Sequence, residues 1–185
     1  MKLNEYIKHM IEKIQHSRFT INEITLINFK LTLIPWNSTI NNLLQQNKMG
    51  LLICNLVLNL AEVNDKQVEK GYLVLLINSL NNIIPNYTNK QDKEVLVQFK
   101  IFYVSYYAYL LQLNNELIEA EANYQAVLSI IKRNKELREL KICILNNLVL
   151  LNSNKGNDNL SQLLFQRMKK ECLSDPSFNL FIKDE

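Results

Sequence analysis

Turn-formers are nearly missing from this sequence, which has three glycines and three prolines in 185 residues. A sheet protein needs a turn signal roughly every 8–12 positions, so a sandwich or a barrel is excluded. The glycines stand alone at positions 50, 71 and 156, so no glycine-rich phosphate loop exists. Histidine is scarcer still. His9 and His16 are the pair, seven residues apart. On one helix that spacing is two turns, roughly 10 Å, too far to share a metal ion directly. They read as surface or structural residues. The three cysteines, Cys54, Cys143 and Cys172, form no CxxC and have no histidine beside them. Cys54 and Cys143 sit in apolar runs and read as buried thiols of a reducing compartment. No GxSxG or HExxH occurs. An excess of one charge is missing as well: the net charge is +3 and it is spread along the chain. Arg167, Lys169 and Lys170 make the densest basic stretch, with Glu171 beside them. Nucleic-acid binders gather such charge in a stripe, so no direct DNA or RNA contact is expected. No apolar run reaches roughly 18 residues, so no membrane span is expected. The amphipathic start, MKLNEYIKHMIEK, is not a signal peptide. The expected location is the cytoplasm. Without a catalytic motif, the expected class is a binding protein rather than an enzyme, with no cofactor and no metal.

What remains is a globular, helix-forming sequence. It is 48% hydrophobic and 21% charged, outside the range of disordered chains. Asparagine is very common, with 26 residues. Together with abundant Lys and Ile this points to AT-rich coding, so a single asparagine carries little weight by itself. Apolar residues recur at helical steps. Leu3, Ile7, Met10, Ile11 and Ile14 predict a helix over about 2–16, and Ile24, Ile27, Leu31 and Ile34 a second one capped by Asn22. A short helix over about 38–47 follows, then helices over about 49–63, to 84, 91–113, to 133, 136–151 and 160–173. The helix over 49–63 is apolar on most sides and is expected to be buried on several faces. Short connections between long helices predict antiparallel helical hairpins. The stretch LIEAEANYQAVLSII is similar to the second half of a tetratricopeptide unit, whose small residues let helices approach closely. The expected fold is therefore all-α: helical hairpins in a degenerate tetratricopeptide-like superhelical solenoid. The whole of 1–185 reads as one helical-repeat domain. Residues 1–47 supply N-terminal helices, 48–173 the repeat-like pairs, and 174–185 a tail whose FNLFI end docks on the body.

Three residue groups are candidates for function. Asn55 and Asn59 lie four apart, hence on one face of an apolar helix. Each amide offers both a donor and an acceptor, which suits holding a peptide backbone. The alternative is a solvated edge. Tyr103, Tyr106 and Tyr107 fall at i, i+3 and i+4, with Tyr109 nearby. Tyrosine joins a large apolar ring to a polar tip, as a peptide groove needs. The alternative is helix–helix packing. Glu116, Glu119 and Glu121 gather at the start of a helix, where they complement its dipole.

The run NEITLINFKLTLIPWNSTINNLL resembles the start of the regulatory domain of Rgg/GadR/MutR-type transcriptional regulators of low-GC Gram-positive bacteria. LLICNLVLNLAEVNDKQVEKGYLVLLINSLNNII resembles the helix pair that follows there, and the segment from Glu94 to about Val149 their later part. The resemblance covers most of residues 1–150, in pattern and order rather than by an invariant motif. It implies a cytoplasmic, homodimeric, tetratricopeptide-like domain of a quorum-sensing regulator, binding a short hydrophobic signalling peptide on its concave face. By position, Asn55 corresponds to the groove asparagine, and the tyrosines of 103–107 to further groove residues. The DNA-binding helix-turn-helix of such regulators is not expected within this chain, so DNA contact is expected only through a separate N-terminal domain. No arginine near Asn55 matches the one that pairs with a peptide carboxylate. The competing expectation is a helical-repeat scaffold or dimerisation protein with no small ligand.

Overall fold

The computed structural model describes residues 38–62 and 65–174. The helices expected within 1–37, and the docking tail of 175–185, lie outside the described residues. Seven α-helices and no strand are found among the described residues. They are α1 (Ser38–Gln45), α2 (Lys48–Glu62), α3 (Lys66–Ile83), α4 (Lys90–Leu113), α5 (Leu117–Ile131), α6 (Arg138–Asn154) and α7 (Asp158–Leu173). A 3₁₀ turn, Ile84–Asn86, leaves α3 through Pro85. The all-α helical-hairpin fold is as the sequence predicts.

Each break has a local cause. Asp65 caps α3, its carboxylate accepting from the backbone N–H groups of Gln67 (2.9 Å) and Val68 (3.0 Å). Asn89 caps α4 in the same way, accepting from Gln91 (2.8 Å) and Asp92 (3.3 Å). Asn115 turns the chain from α4 into α5 with a positive φ of 63°, which Asn tolerates better than other residues with a side chain. The Glu116 N–H then reaches back to the Leu111 carbonyl (2.8 Å), satisfying a helix-end acceptor. Gly156 performs the corresponding turn between α6 and α7, with φ at 73°. Gly50 has another reason to be glycine: a Cβ there would overlap the Leu44 carbonyl oxygen, so its absence lets α2 start flush against α1.

Consecutive helices pack in turn, and α4 is the centre, touching α1, α3, α5 and α6. It is buried along two opposite stripes. One carries Leu96, Phe99, Tyr103, Tyr106 and Leu110, the other Ile101, Ser105 and Ala108. The α5 stripe runs through Ala120, Tyr124, Val127 and Ile131, as the periodicity predicts. α6 is buried nearly all round, including Asn146, Asn147 and Asn152. Its start is Arg138 rather than Glu136, because the chain bends where the Asn134 side chain accepts from the Glu136 N–H (2.9 Å). One face assignment needs correction. The helical spacing of Val68, Tyr72, Leu76, Leu80 and Ile83 predicts a core stripe on α3, but Val68 is exposed and Tyr72 half-buried, and the buried stripe is Glu69, Leu73, Leu76, Leu80 and Ile83. Among its described side chains, α2 buries Ile53, Leu56, Val57 and Leu60, with Met49 and Cys54 partly buried against the core. No helix among the described residues is long and apolar enough to cross a membrane.

Candidate functional site

Two places carry the candidate residues: the outer face of α2 and the contact of α4 with its neighbours. On α2 the helical repeat sends Ile53, Leu56, Val57 and Leu60 inward, which leaves Leu51, Leu52 and Asn55 outside. Leu51 is 50% exposed and Leu52 47%. Asn55 is itself exposed and sits one turn on from both leucines. Asn59 follows one turn later in the same helix, and its side chain lies outside the described residues. An amide one turn on from two exposed leucines sets a hydrogen-bonding group beside apolar surface. Cys54, next to Asn55, is half-buried, and burial pushes its thiol pKa up. That keeps it protonated and unreactive at neutral pH.

The tyrosines of α4 separate. Tyr103 and Tyr106 lie inside. Tyr103 meets Phe99 edge-on, ring centroids 4.7 Å apart. Its hydroxyl has no hydrogen-bond partner among the described residues, and burial drives its pKa well above the usual phenol value. Tyr106 donates to the carboxylate of Glu69, a buried residue of α3, and Glu69 is paired in turn with Lys66 at 3.0 Å. Tyr109 stacks on Tyr106, centroids 6.5 Å apart. Tyr107 points elsewhere, half-buried, and donates to Glu119 on α5 (3.3 Å). Tyr103 and Tyr106 therefore spend their rings on packing between helices, while Tyr107 keeps part of its ring open.

The acidic group at the start of α5 is divided among neighbouring helices. Glu116 pairs with Lys70 of α3 at 2.5 Å, Glu119 takes the Tyr107 hydroxyl, and Glu121 pairs with Lys155 after α6 at 2.7 Å. The Glu116 hydrogen bond raises the Lys70 pKa above the usual ammonium value. These partners lie 46, 12 and 34 residues away, so no spacing within α5 announces them. A further network is buried deeper. The Tyr124 hydroxyl donates to Gln112 Oε1 (3.0 Å) and accepts from Asn147 Nδ2 (2.9 Å), tying α4, α5 and α6 together. Lys141 reaches from α6 to Glu171 on α7. None of Glu69, Lys70, Gln112 or Asn147 stands out in the sequence, because each is one polar residue in a helical run.

No three His, Cys, Asp or Glu side chains converge as metal ligands among the described residues. His9 and His16 lie outside them. Comparison with known proteins returned no matching family, no matching curated protein and no matching solved structure. The described geometry is thus two exposed leucines beside an exposed amide on α2, with paired charges and packed tyrosines joining α3, α4 and α5.

Proposed function

We propose that this chain is a ligand-sensing helical domain that binds a short hydrophobic peptide along the outer face of α2. One observation carries this reading: among the described residues of α2, Asn55 is exposed one turn on from the exposed Leu51 and Leu52. An extended peptide has unsatisfied N–H and C=O groups along its backbone and apolar side chains between them. A primary amide answers both backbone groups at once. The flanking leucines give its side chains apolar surface to cover, at about 25 cal/mol for each Å² removed from water. Asn59, one turn further along α2, continues the row by position. Tyr107 belongs to the same reading as a half-open aromatic on α4, whereas Tyr103 and Tyr106 support it from behind by fixing α4 against α3. The wider role that fits is the regulatory part of a cytoplasmic Gram-positive transcriptional regulator with a tetratricopeptide-like solenoid. The resemblance of residues 1–150 to such domains supports it, as does the succession of antiparallel helical pairs.

The test is native mass spectrometry of the purified chain, alone and with a pool of short hydrophobic peptides. One peptide retained per chain, and an adduct weakened in Asn55→Ala and in Leu52→Glu, is the expected result. An absence of any adduct, or an adduct indifferent to both substitutions, sinks the peptide reading and leaves the scaffold reading in its place.

A further inference from the structure

The order of the last three helices gathers positive charge at one end of them. Lys155, just after α6, pairs with Glu121 near the start of α5 at 2.7 Å. Lys141, in the first turn of α6, pairs with Glu171 in the last turn of α7. The ends of α5 and α7 therefore lie at the start of α6. There the turn into α6 and its first residue carry Lys132, Arg133, Lys135 and Arg138, against Glu136 and Glu139. The last two turns of α7 add Arg167, Lys169 and Lys170. Their sequence neighbour Glu171 does not offset them, because it is spent on Lys141. Beyond that neutral pair, seven cations stand against two carboxylates, a larger excess than the +3 of the whole chain.

Helix dipoles explain the cations that close α5 and α7, but not Lys135 and Arg138, which open α6 where a dipole disfavours positive charge. Arg133, Lys135, Arg167 and Lys170 are exposed, and Lys169 holds its Nζ over the Phe165 ring, 4.9 Å from the centroid. Large aliphatic side chains stand among these charges. Ile130, in the last turn of α5, is 62% exposed, and Leu173, which ends α7, is 64% exposed. Leu163, one turn before Arg167, is 67% exposed. No aromatic ring is exposed at this end among the described residues, Phe165 being half-buried beneath Lys169.

We propose that this end of the protein docks on an anionic lipid surface. The cations meet the headgroup phosphates, and Ile130 and Leu173 enter the layer between them. Charge complementarity supplies the attraction: each Lys or Arg held near an anionic surface strengthens partitioning by about fivefold. Long basic side chains lay their stems along apolar surface and keep their charge at the headgroups, which suits cations interleaved with aliphatic residues. A nucleic acid fits this end less well. The cations are spread over three helix ends rather than along a stripe, and no exposed ring offers a base a stacking surface. The attachment is peripheral, since no helix among the described residues is long and apolar enough to cross a membrane. It uses the ends of α5, α6 and α7 and not the outer face of α2, so it stands or falls apart from the peptide reading.

Co-sedimentation of the full chain with vesicles is the test, comparing phosphatidylglycerol–phosphatidylcholine mixtures with pure phosphatidylcholine. The expected outcome is binding to the anionic vesicles alone, falling as salt is raised. Arg133→Glu together with Arg167→Glu weakens it by roughly a hundredfold or more, and Ile130→Ser together with Leu173→Ser by roughly tenfold. Glu139→Gln tightens it by about fivefold, a gain that no folding defect mimics. All these side chains are exposed, so circular dichroism stays that of the wild type. An absence of binding at low salt, equal binding to both kinds of vesicle, or binding indifferent to the paired arginine substitutions overturns the inference. So does binding to duplex DNA that those substitutions abolish while the vesicles are left unbound, which would give the same end to a nucleic-acid backbone.

Discussion

Two buried tyrosines, one with partners and one without, give the most discriminating test of how this core is held. Tyr124 is fully buried, and its hydroxyl both donates to Gln112 and accepts from Asn147. Tyr103 is equally buried, but its hydroxyl has no partner among the described residues. Tyr→Phe removes one oxygen in each case and keeps the ring, so no cavity of consequence opens. In Tyr124→Phe the loss falls on the partners. Gln112 is half-buried and regains water, whereas the Asn147 amide is buried and loses an acceptor. A buried donor left unpaired costs about 1–3 kcal/mol, so a loss of about 2 kcal/mol is expected. For a chain of this size that corresponds to a fall of about 4–8 °C in Tm. In Tyr103→Phe the removed group was desolvated and unpaired already, so stability should hold or rise by about 1 kcal/mol. Urea unfolding followed by far-ultraviolet circular dichroism measures both, and an unchanged m-value confirms that the unfolding unit is the same. If Tyr103→Phe proves as destabilising as Tyr124→Phe, the reasoning is refuted, because Tyr103 must then have a partner.

Other perturbations follow from the same contacts. Gly50→Ala drives a Cβ into the Leu44 carbonyl and should cost about 3 kcal/mol or more by prising α1 from α2, seen as an early loss of helicity in urea. Glu69→Leu removes the Tyr106–Glu69 hydrogen bond and should cost about 2 kcal/mol, while Tyr106→Phe should cost less in that background than in the wild type, a coupling that a double-mutant cycle detects. Raising the pH should destabilise the fold from about pH 10 upward. Burial raises the phenol pKa values of Tyr103 and Tyr124, and Glu116 raises that of Lys70. A group whose folded pKa is raised contributes stability that is complete below its unfolded pKa and is lost as pH climbs through the folded one. Phenolate absorbance during an alkaline titration should accordingly show some of the eight tyrosines ionising only as helicity is lost.

Much of the fold is legible in the sequence because its signals are local. Asp65 precedes an apolar-periodic run, and Asn89 closes the loop after Pro85, so the starts of α3 and α4 are visible in one dimension. The α5 stripe is visible because its helix has one buried side. The central helix defeats the same method. α4 is buried on two opposite stripes, so the spacing of Tyr103, Tyr106 and Tyr107 cannot tell which side faces which neighbour. The ion pairs fail for a related reason: Lys70–Glu116 and Lys141–Glu171 join helices far apart in the chain, and no period links them.

Val68 is the most informative miss. Hydrophobicity places it on the core stripe, yet the stripe that is buried runs one residue later, through Glu69, Leu73, Leu76, Leu80 and Ile83, so that Val68 faces outward. The buried stripe of Leu73, Leu76, Leu80 and Ile83 sets the helix phase, and Glu69, which falls on that stripe, is tolerated inside because Tyr106 and Lys66 satisfy its carboxylate. The same rotation brings Gly71, Val74 and Leu75 to the surface together.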